Sequence, residues 1–326
     1  MGLKHSKVLA QADGGDTSVV RPSDWNGDHI VDTGGMLMQA GSSDPAAPAS
    51  GNLLFYSKLV AGRVVPKIIG PSGIDAILQS HIGQDKVSMW SPAGNVATVS
   101  NLTGGAVAFT AVGTATLKAV ATTNFYTRLK RLQYLSVATA GGLSSIRTAA
   151  AQYTLGVPGS GIPDMGGFFL IIRFGCSDAA TVAGARQFVG MWSTTTAPTN
   201  VEPSTLTNCI GVGHGAADTN LKIFYGGSAA QTAIDLGANF PANTLSVDAY
   251  ELILFCSPKL NNSVGYKVTR LNTGHVAEGT LSAATPGTQL PLNTTLLSAP
   301  LLWRCNNATA LAVGIDLVSA YISTDQ

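Results

Sequence analysis

The stretch GGFFLIIRFG, residues 166–175, decides the fold class of this 326-residue chain. Its central part, FFLIIRF, is a continuous apolar run with one arginine, and glycines stand on both sides of it. A run of this length is short for a buried helix and is typical of a strand that is covered on both faces. The stretch therefore predicts a strand in the interior of a sheet.

Comparable runs follow along the chain, some apolar throughout and some alternating between apolar and polar side chains. These runs are residues 186–192, 221–227, 250–256, 264–271 and 311–323. Clusters of Gly, Asn, Pro and Ser separate them, and we find no convincing amphipathic helix between them. This pattern predicts an all-β domain over residues 86–326, an antiparallel β-sandwich of jelly-roll type. Residues 126–137 are ambiguous between a strand and an exposed helix, and we favour a strand.

Residues 1–85 are rich in turn residues and show little periodicity. The stretch SSDPAAPAS, residues 42–50, has the composition of a linker. After it, NLLFYSKLVAGRVVPKII, residues 52–69, predicts a β-hairpin that turns at Ala61–Gly62. Because proline cannot donate to a strand ladder, Pro66 indicates that the second strand lies at an edge.

The stretch IDAILQSHI, residues 74–82, predicts one or two helical turns after the hairpin. Residues 1–85 are too polar and too interrupted to bury much surface alone. We therefore expect them to form an attachment and oligomerisation region that packs against copies of itself or a partner.

The composition is unusually poor in charge. Charged residues make up 11% of the chain, against about 25% in a typical soluble domain, and the formal net charge is +1. This gives no basic surface for nucleic acid. No run of 18 apolar residues appears, so we expect no membrane insertion. A neutral surface tends to associate, and we favour a surface that sister subunits cover.

The cysteines and histidines show no spaced metal-binding pattern, and we expect no cofactor. The four cysteines are widely separated without a CxxC pair, so buried free thiols are favoured over a disulfide. The stretch DWNGDHIVD, residues 24–32, offers oxygens at the spacing of a calcium loop. However, His29 stands where the loop needs glycine, and Gly35 stands where it needs glutamate. A polar turn is favoured, with a calcium site as the alternative.

Several phrases of the sequence resemble virion appendage proteins of tailed bacteriophages. RPSDWNGDHIV and SGNLLFYSKLVAGRVVPKIIGPSG resemble their virion-attached segments. GGFFLIIRFG, NVEPSTLTNCIGVG, TLSVDAYELILFCSP and NSVGYKVTRLNTGHVAEGTL together resemble the concanavalin A-like sandwich at the distal end of their fibres. The resemblance implies a virion protein assembled in the bacterial cytoplasm, usually a homotrimer. It also implies an N-terminal anchor to other virion proteins and a sandwich that faces a receptor or the solvent.

Two sets of residues are candidates for these roles. In the N-terminal region, aromatic, basic and apolar side chains suit attachment or subunit interfaces: Trp25, His29, Tyr56, Arg63, Ile74 and Leu78. In the loops of the sandwich, an aromatic ring and side-chain oxygens suit the binding of a host surface glycan or receptor: Trp192, Asn200, His214, Asp218 and Asn220. The alternative for the second set is a core tryptophan beside solvated loops.

A catalytic signature is missing from the sequence. A glycan-cleaving enzyme needs two carboxylates about 5–10 Å apart, and the three glutamates, Glu202, Glu251 and Glu278, form no sequence pair. The nucleophile motif G-x-S-x-G is also absent. We therefore expect a non-enzymatic protein, and the resemblance implies a homotrimeric tail fibre or receptor-binding subunit. The alternatives are a capsid decoration or head-fibre protein and a polysaccharide depolymerase.

Overall fold

The structure is a computed structural model, and it describes residues 40–71, 87–92, 109–157 and 166–324, together with the backbone of residues 75–77. Almost all of the regular structure is β-strand, as the sequence predicts. The strands are β1 Leu54–Val60, β2 Arg63–Ile69, β3 Asp75–Ile77, β4 Val87–Trp90, β5 Phe109–Val112, β6 Thr114–Lys118, β7 Arg131–Leu135, β8 Leu143–Thr148, β9 Phe168–Cys176, β10 Arg186–Trp192, β11 Cys209–His214, β12 Lys222–Gly226, β13 Ile234–Asp235, β14 Tyr250–Cys256, β15 Ser263–Arg270, β16 His275–Ser282, β17 Ser298–Cys305 and β18 Gly314–Ser323.

Among the described residues, two large antiparallel sheets form the sandwich. In the same residues, one sheet has seven strands in the order β13-β12-β11-β10-β17-β8-β5. The other has eight strands, in the order β16-β15-β14-β9-β18-β7-β6, with β4 paired to the second half of β18. The predicted strands of residues 168–174 and 250–256 pair with each other in the middle of the eight-stranded sheet, which confirms the interior position expected for the first of them.

The core lies between the two sheets. On β9, Leu170, Ile172 and Phe174 are fully buried and face the core, because alternate side chains of a strand point to opposite faces. They pack in one cluster with residues of the seven-stranded sheet such as Val189 and Val212. The opposite side chains of β9 point to the outer face of their sheet.

The predicted hairpin is confirmed. Strands β1 and β2 flank a two-residue turn in which Ala61 and Gly62 both have positive φ, 50° and 84°. This geometry matches the twist of antiparallel strands and is common in tight hairpins. The edge position predicted for β2 is wrong, because β2 lies between β1 and β3. Strand β3 pairs only with Lys67–Ile69, so Pro66 stands outside that pairing and its missing N–H costs no bond there.

Two local predictions need correction. Helical turns were expected over residues 74–82, but Asp75–Ile77 form strand β3, because the backbone of β2 offers them ladder partners. The rest of that range lies outside the described residues. The strand expected over residues 126–137 begins as a short helix, α1 Phe125–Arg128, and becomes a strand only at β7. Asn124 caps this helix through a reciprocal pair of bonds with Thr127, which explains its start.

The chain divides into two compact units. One contains Leu59–Val65, the tip of the hairpin, together with the chain from Leu78 to Gln326. The other contains the residues before Leu59 and Pro66–Ile77. The boundary predicted between residues 85 and 86 lies outside the described residues and stays a prediction.

Candidate functional site

The tip of the hairpin is seated on the outer face of the eight-stranded sheet. Val60, Ala61 and Val65 are buried against Phe169 and Ile253. The Ala61 backbone N–H donates a hydrogen bond of 2.9 Å to Glu278 Oε1. The contact therefore joins apolar burial to one charge-assisted hydrogen bond.

Arg63, a predicted interface residue, lies within this contact. Its guanidinium stands 4.6 Å from the ring centre of Phe169 and 5.7 Å from that of Phe255. Cation–π contacts at such distances are attractive, particularly where water is partly excluded. Arg63 thus binds the sandwich of its own chain, a partner that sequence reasoning did not name.

Tyr56, the other described attachment residue, belongs to a small ionic cluster around Asp44. Its hydroxyl donates to Asp44 Oδ1 at 2.7 Å, and Lys58 and Lys67 form ion pairs with the same carboxylate. Burial would raise the pKa of Asp44, but hydrogen bonds from Lys58, Tyr56 and Lys67 bring it well below the usual range. The cluster fixes the segment before β1 to the hairpin strands.

The other candidates for attachment lie outside the described residues. These are Trp25, His29, Ile74 and Leu78, and the calcium-like loop of residues 24–32 lies there too. Their roles stay predictions.

The predicted ligand loops meet at one end of the seven-stranded sheet. Asn200 is exposed and accepts a 2.7 Å hydrogen bond from Arg186 Nη1. Arg186 also pairs with Glu202 at 2.8 Å, and Glu202 Oε2 accepts from the Ala216 backbone N–H at 3.2 Å. This surface cluster ties the loop after β10 to the loop after β11.

Asp218 and Asn220 lie in the second of these loops. Asp218 accepts from the Gly215 backbone N–H at 2.7 Å and pairs with Lys222 at 2.6 Å. Asn220 donates to Asp235 Oδ1 at 3.1 Å. The structure thus brings Asn200 and Asp218 into neighbouring loops, but uses their oxygens to hold the loops in place.

Trp192 is not a free platform for a ligand. It ends strand β10, is half-buried, and donates its indole N–H to Thr207 O at 3.0 Å. Its ring packs against an outer cluster of the seven-stranded sheet, which includes Phe188, Leu206 and Trp303. The alternative of a tryptophan in the core describes its position better.

His214 lies in the interior, not in an exposed loop as predicted. It ends strand β11 with 1% of its surface exposed. Arg304 Nη1 lies 2.9 Å from its Nε2, and its Nδ1 lies 3.2 Å from Gly215 O. Because a guanidinium only donates, Nε2 must accept and Nδ1 must carry the proton. Burial, and then the charge of Arg304, lower the pKa of His214 to about 3.

Arg304 is the centre of a buried polar network. It binds both oxygens of Asp178, at 2.6 and 2.9 Å for the shortest contact to each, and also Gln187 and Asn243. A second buried pair, Arg131 and Asp316, lies 2.8 Å apart. Because these buried charged groups have hydrogen-bond partners, their charges are stabilised inside the sandwich. The same bonds fix the relative positions of the strands that carry them.

The second pair is reinforced by neutral donors. Asp316 accepts from the hydroxyl of Tyr126 at 2.6 Å and from that of Ser177. Burial raises the pKa of Asp316, against the opposing effect of these hydrogen bonds and of Arg131. Burial also raises the pKa of Tyr126 well above its usual value, with the Asp316 carboxylate adding to the effect.

The three glutamates are each engaged with a protein partner. Glu202 pairs with Arg186, Glu251 pairs with Arg173 at 2.7 Å, and Glu278 accepts from Ala61. Glu251 and Glu278 share the outer face of the eight-stranded sheet, with strand β15 between their strands. Since strands lie about 4.8 Å apart, their backbones are separated by about 10 Å or more.

The four cysteines are buried and unpaired, which confirms the prediction of free thiols. Burial raises the pKa of Cys176 and of Cys256 to about 12. A thiol that stays protonated is a poor nucleophile and a poor metal ligand. Within the part of the chain that the structure describes, groups of three or more His, Cys, Asp or Glu side chains that could hold a metal do not occur.

Sequence reasoning missed the residues that organise the interior. Arg304 and Asp316 each stand alone in an apolar strand, and a single charge in such a run indicates a buried partner. That signal was present in the sequence, although it does not name the partner. Among the described residues, none of the helices has the length and apolar character needed to cross a membrane.

The comparisons with known proteins concern the fold. No protein-family model matches the chain, and no curated protein matches it. A solved protein of unknown function from Shewanella oneidensis is similar at 11% identity and TM-score 0.45, over 76% of this chain and 89% of that one. Lectin II from Ulex europaeus is similar at 13% identity and TM-score 0.45, over 74% of this chain and 100% of its own.

Peanut lectin is similar at 11% identity and TM-score 0.43, over 68% of this chain and 94% of its own. At these identities and TM-scores the likeness carries no conclusion about this chain. Its own sheets and core show an antiparallel β-sandwich, as the sequence predicts.

Proposed function

We propose that this chain is a non-enzymatic structural subunit of a tailed-bacteriophage virion, a homotrimeric tail fibre or receptor-binding protein. In this proposal the N-terminal region attaches the subunit to other virion proteins and to sister copies. The sandwich carries the surface that meets the host cell.

The observation that carries the proposal is the apolar surface around the hairpin. Leu53, Phe55, Leu59 and Val64 expose 64%, 47%, 43% and 56% of their surfaces. Single exposed apolar residues are common, but three in the hairpin strands and a fourth directly before β1 indicate a surface that a partner covers. Sister copies of the chain or a virion protein would provide that cover.

The low charge of the chain supports the same proposal. With 11% charged residues and a net charge of +1, little electrostatic repulsion opposes association. Subunits with such surfaces gain stability by packing together. A trimer would also present three sandwiches at once, so weak contacts to a cell surface would add up through avidity.

The side chains with catalytic potential support a non-enzymatic role. Each glutamate of the sandwich already binds an arginine or a backbone N–H. His214 is buried in the network of Arg304, and the thiols are buried. A general acid needs contact with its substrate, and these groups are held by protein partners instead.

The proposal is tested on particles. Purified virions of the phage that encodes the chain are labelled with gold-conjugated antibodies against the sandwich and viewed by electron microscopy. Label at the distal ends of tail appendages is expected. Label spread over the shell would contradict the tail role and favour capsid decoration, and complete absence of the chain from purified virions would contradict a virion role altogether.

A further inference from the structure

A groove of about 230 Å³ opens on the outer face of the eight-stranded sheet, where β4 and β9 flank β18. The residues that give it chemical character are Met89, Trp90, Ser91, Arg173, Ser319 and Tyr321. The volume is below that of sites for drug-sized ligands, about 300–1,000 Å³, and gives room for about one sugar ring. The groove lies apart from the loop residues predicted to bind a ligand.

Unused hydroxyl groups line this groove. Among the described residues, the hydroxyls of Ser91 and Ser319 make no hydrogen bond. Trp90 contributes to the wall of the groove, but its ring packs in the core between the sheets.

Arg173 supplies the charge. Its side chain is 50% exposed, and its Nε donates to Glu251 Oε2 at 2.7 Å. In the described structure this is the guanidinium's one hydrogen bond, so the Nη edge remains open. That edge presents two parallel N–H groups, which fit a carboxylate bidentately.

The pairing of β18 with β9 is irregular beside the groove. Ser319 lies opposite Arg173 in the pairing of β18 with β9, directly after a register shift between Leu317 and Ser319. Bulges re-aim side chains and are frequent next to functional sites. The shift places the Ser319 hydroxyl beside Arg173 on the outer face.

From these observations we propose that the groove binds one carboxylated sugar residue of a surface glycan. The open groups are mainly donors, so the ligand must be rich in acceptors. A uronic acid offers a carboxylate to Arg173 and hydroxyl oxygens to Ser91 and Ser319. Its C–H face would lie on Met89 and Tyr321. The inference rests on the proposed function, since it names the substance that the receptor-binding surface takes.

The test uses the full chain and two sugars, D-glucuronic acid as the probe and D-glucose as its uncharged match. Binding is measured by saturation-transfer NMR with titration. We expect glucuronic acid to bind at least ten-fold more tightly than glucose. Equal affinity for the two sugars, or no binding of glucuronic acid, would overturn the proposal.

Variants locate the binding. Arg173→Gln combined with Glu251→Gln removes both charges of the pair, so neither is left unpaired, and should weaken glucuronic acid binding at least ten-fold. Arg128→Gln, which removes an exposed arginine on α1, is the matched control and should bind as the wild type does. Melting curves establish that each variant is folded. Wild-type affinity in the double variant would overturn the assignment.

Adsorption to host cells separates this inference from the proposed function. If the wild type adsorbs and the double variant adsorbs equally well, the groove is not the receptor site while the receptor-binding role stands. If the wild type itself fails to adsorb and is missing from virions, the proposed function fails.

Discussion

The two outer faces of the sandwich are covered in different ways. On the seven-stranded sheet, Phe188, Trp303 and Phe224 are covered by residues 193–208, which follow directly after β10 and contribute Leu206. On the eight-stranded sheet, Phe169 and Ile253 are covered by the hairpin tip, and the bond from Ala61 to Glu278 spans 217 positions of sequence.

The difference has an energetic consequence. A cover that is close in sequence loses little chain entropy when it closes, whereas a distant cover loses more. The loop over the seven-stranded sheet should therefore open only when the sandwich unfolds. The hairpin tip should detach at a lower free energy, as a separate local event.

The largest effect is expected under the first cover. Trp303 is fully buried on the outer face of β17, and Trp303→Ala should reduce the free energy of unfolding by about 3–5 kcal/mol. Chemical denaturation measures it. A loss below about 1 kcal/mol would show that this cover is loose and would remove the contrast between the faces.

The interior between the two sheets can be compared with the two outer faces, and His214 reports on it. His214 has a pKa of about 3 in the folded chain and about 6.5 when unfolded. Between these pH values the histidine binds a proton in the unfolded state but not in the folded state. The stability that neutral His214 contributes is therefore fully present above pH 6.5 and is lost as the pH drops. The loss by pH 4 is on the order of 3 kcal/mol.

His214→Gln keeps an acceptor for Arg304 and removes this titration. Its stability should depend less steeply on pH between 6.5 and 4 than that of the wild type, as followed by denaturant melts at several pH values. Parallel curves for the two proteins would contradict a buried neutral histidine.

Two glycine substitutions compare the interior of the seven-stranded sheet with the hairpin tip that covers the eight-stranded sheet. A Cβ at Gly213 would collide with Gln187 O of the neighbouring strand, and a Cβ at Gly265 would collide with Ala61 O of the hairpin tip. Gly213→Ala cannot be relieved without disturbing the sheet, and it should cost about 1–3 kcal/mol of global stability.

Gly265→Ala should instead displace the hairpin tip and leave the global melt nearly unchanged. Hydrogen exchange should then rise in residues 59–65 and stay slow in β9 and β14. If Gly265→Ala lowers global stability as much as Gly213→Ala, the tip is not a separable cover.

The smallest effect is expected at Arg63. Removing its contacts with Phe169 and Phe255 in Arg63→Ala should cost roughly 0.5–2 kcal/mol, seen as faster exchange of the tip. Arg128→Ala, at an exposed position, serves as the control and should change nothing. Unchanged exchange in Arg63→Ala would show that apolar burial alone holds the tip.

The sequence predicts structure that depends on neighbouring residues, and it does not predict contacts between segments that are far apart along the chain. The strands and the hairpin follow from local periodicity and turn residues, as in residues 168–174 and Ala61–Gly62. The strand β3 was misassigned because its pairing with β2 decides it, not its own residues. Likewise, Glu278 gives no local sign that its partner is Ala61, since that contact depends on the folded topology.

The candidate site was predicted only in part. Asn200 and Asp218 lie in loops, as their positions between strands indicated, but the contact between these loops was not predicted. His214 was assigned to a loop, but it ends strand β11, in which Gly211 and Gly213 pack closely against β10. The groove at Arg173 was invisible in the sequence, because β4, β9 and β18 lie far apart along the chain.

The hairpin exposes an apolar surface that we expect sister copies to cover, and sedimentation equilibrium of the purified full chain measures whether they do. We predict a mass of three times the 33.4 kDa of one chain. When Phe55, Leu59 and Val64 are all replaced by threonine, which keeps strand propensity, we expect single chains. A wild-type chain that sediments with the mass of one copy at high concentration would show that the hairpin surface does not hold sister copies together.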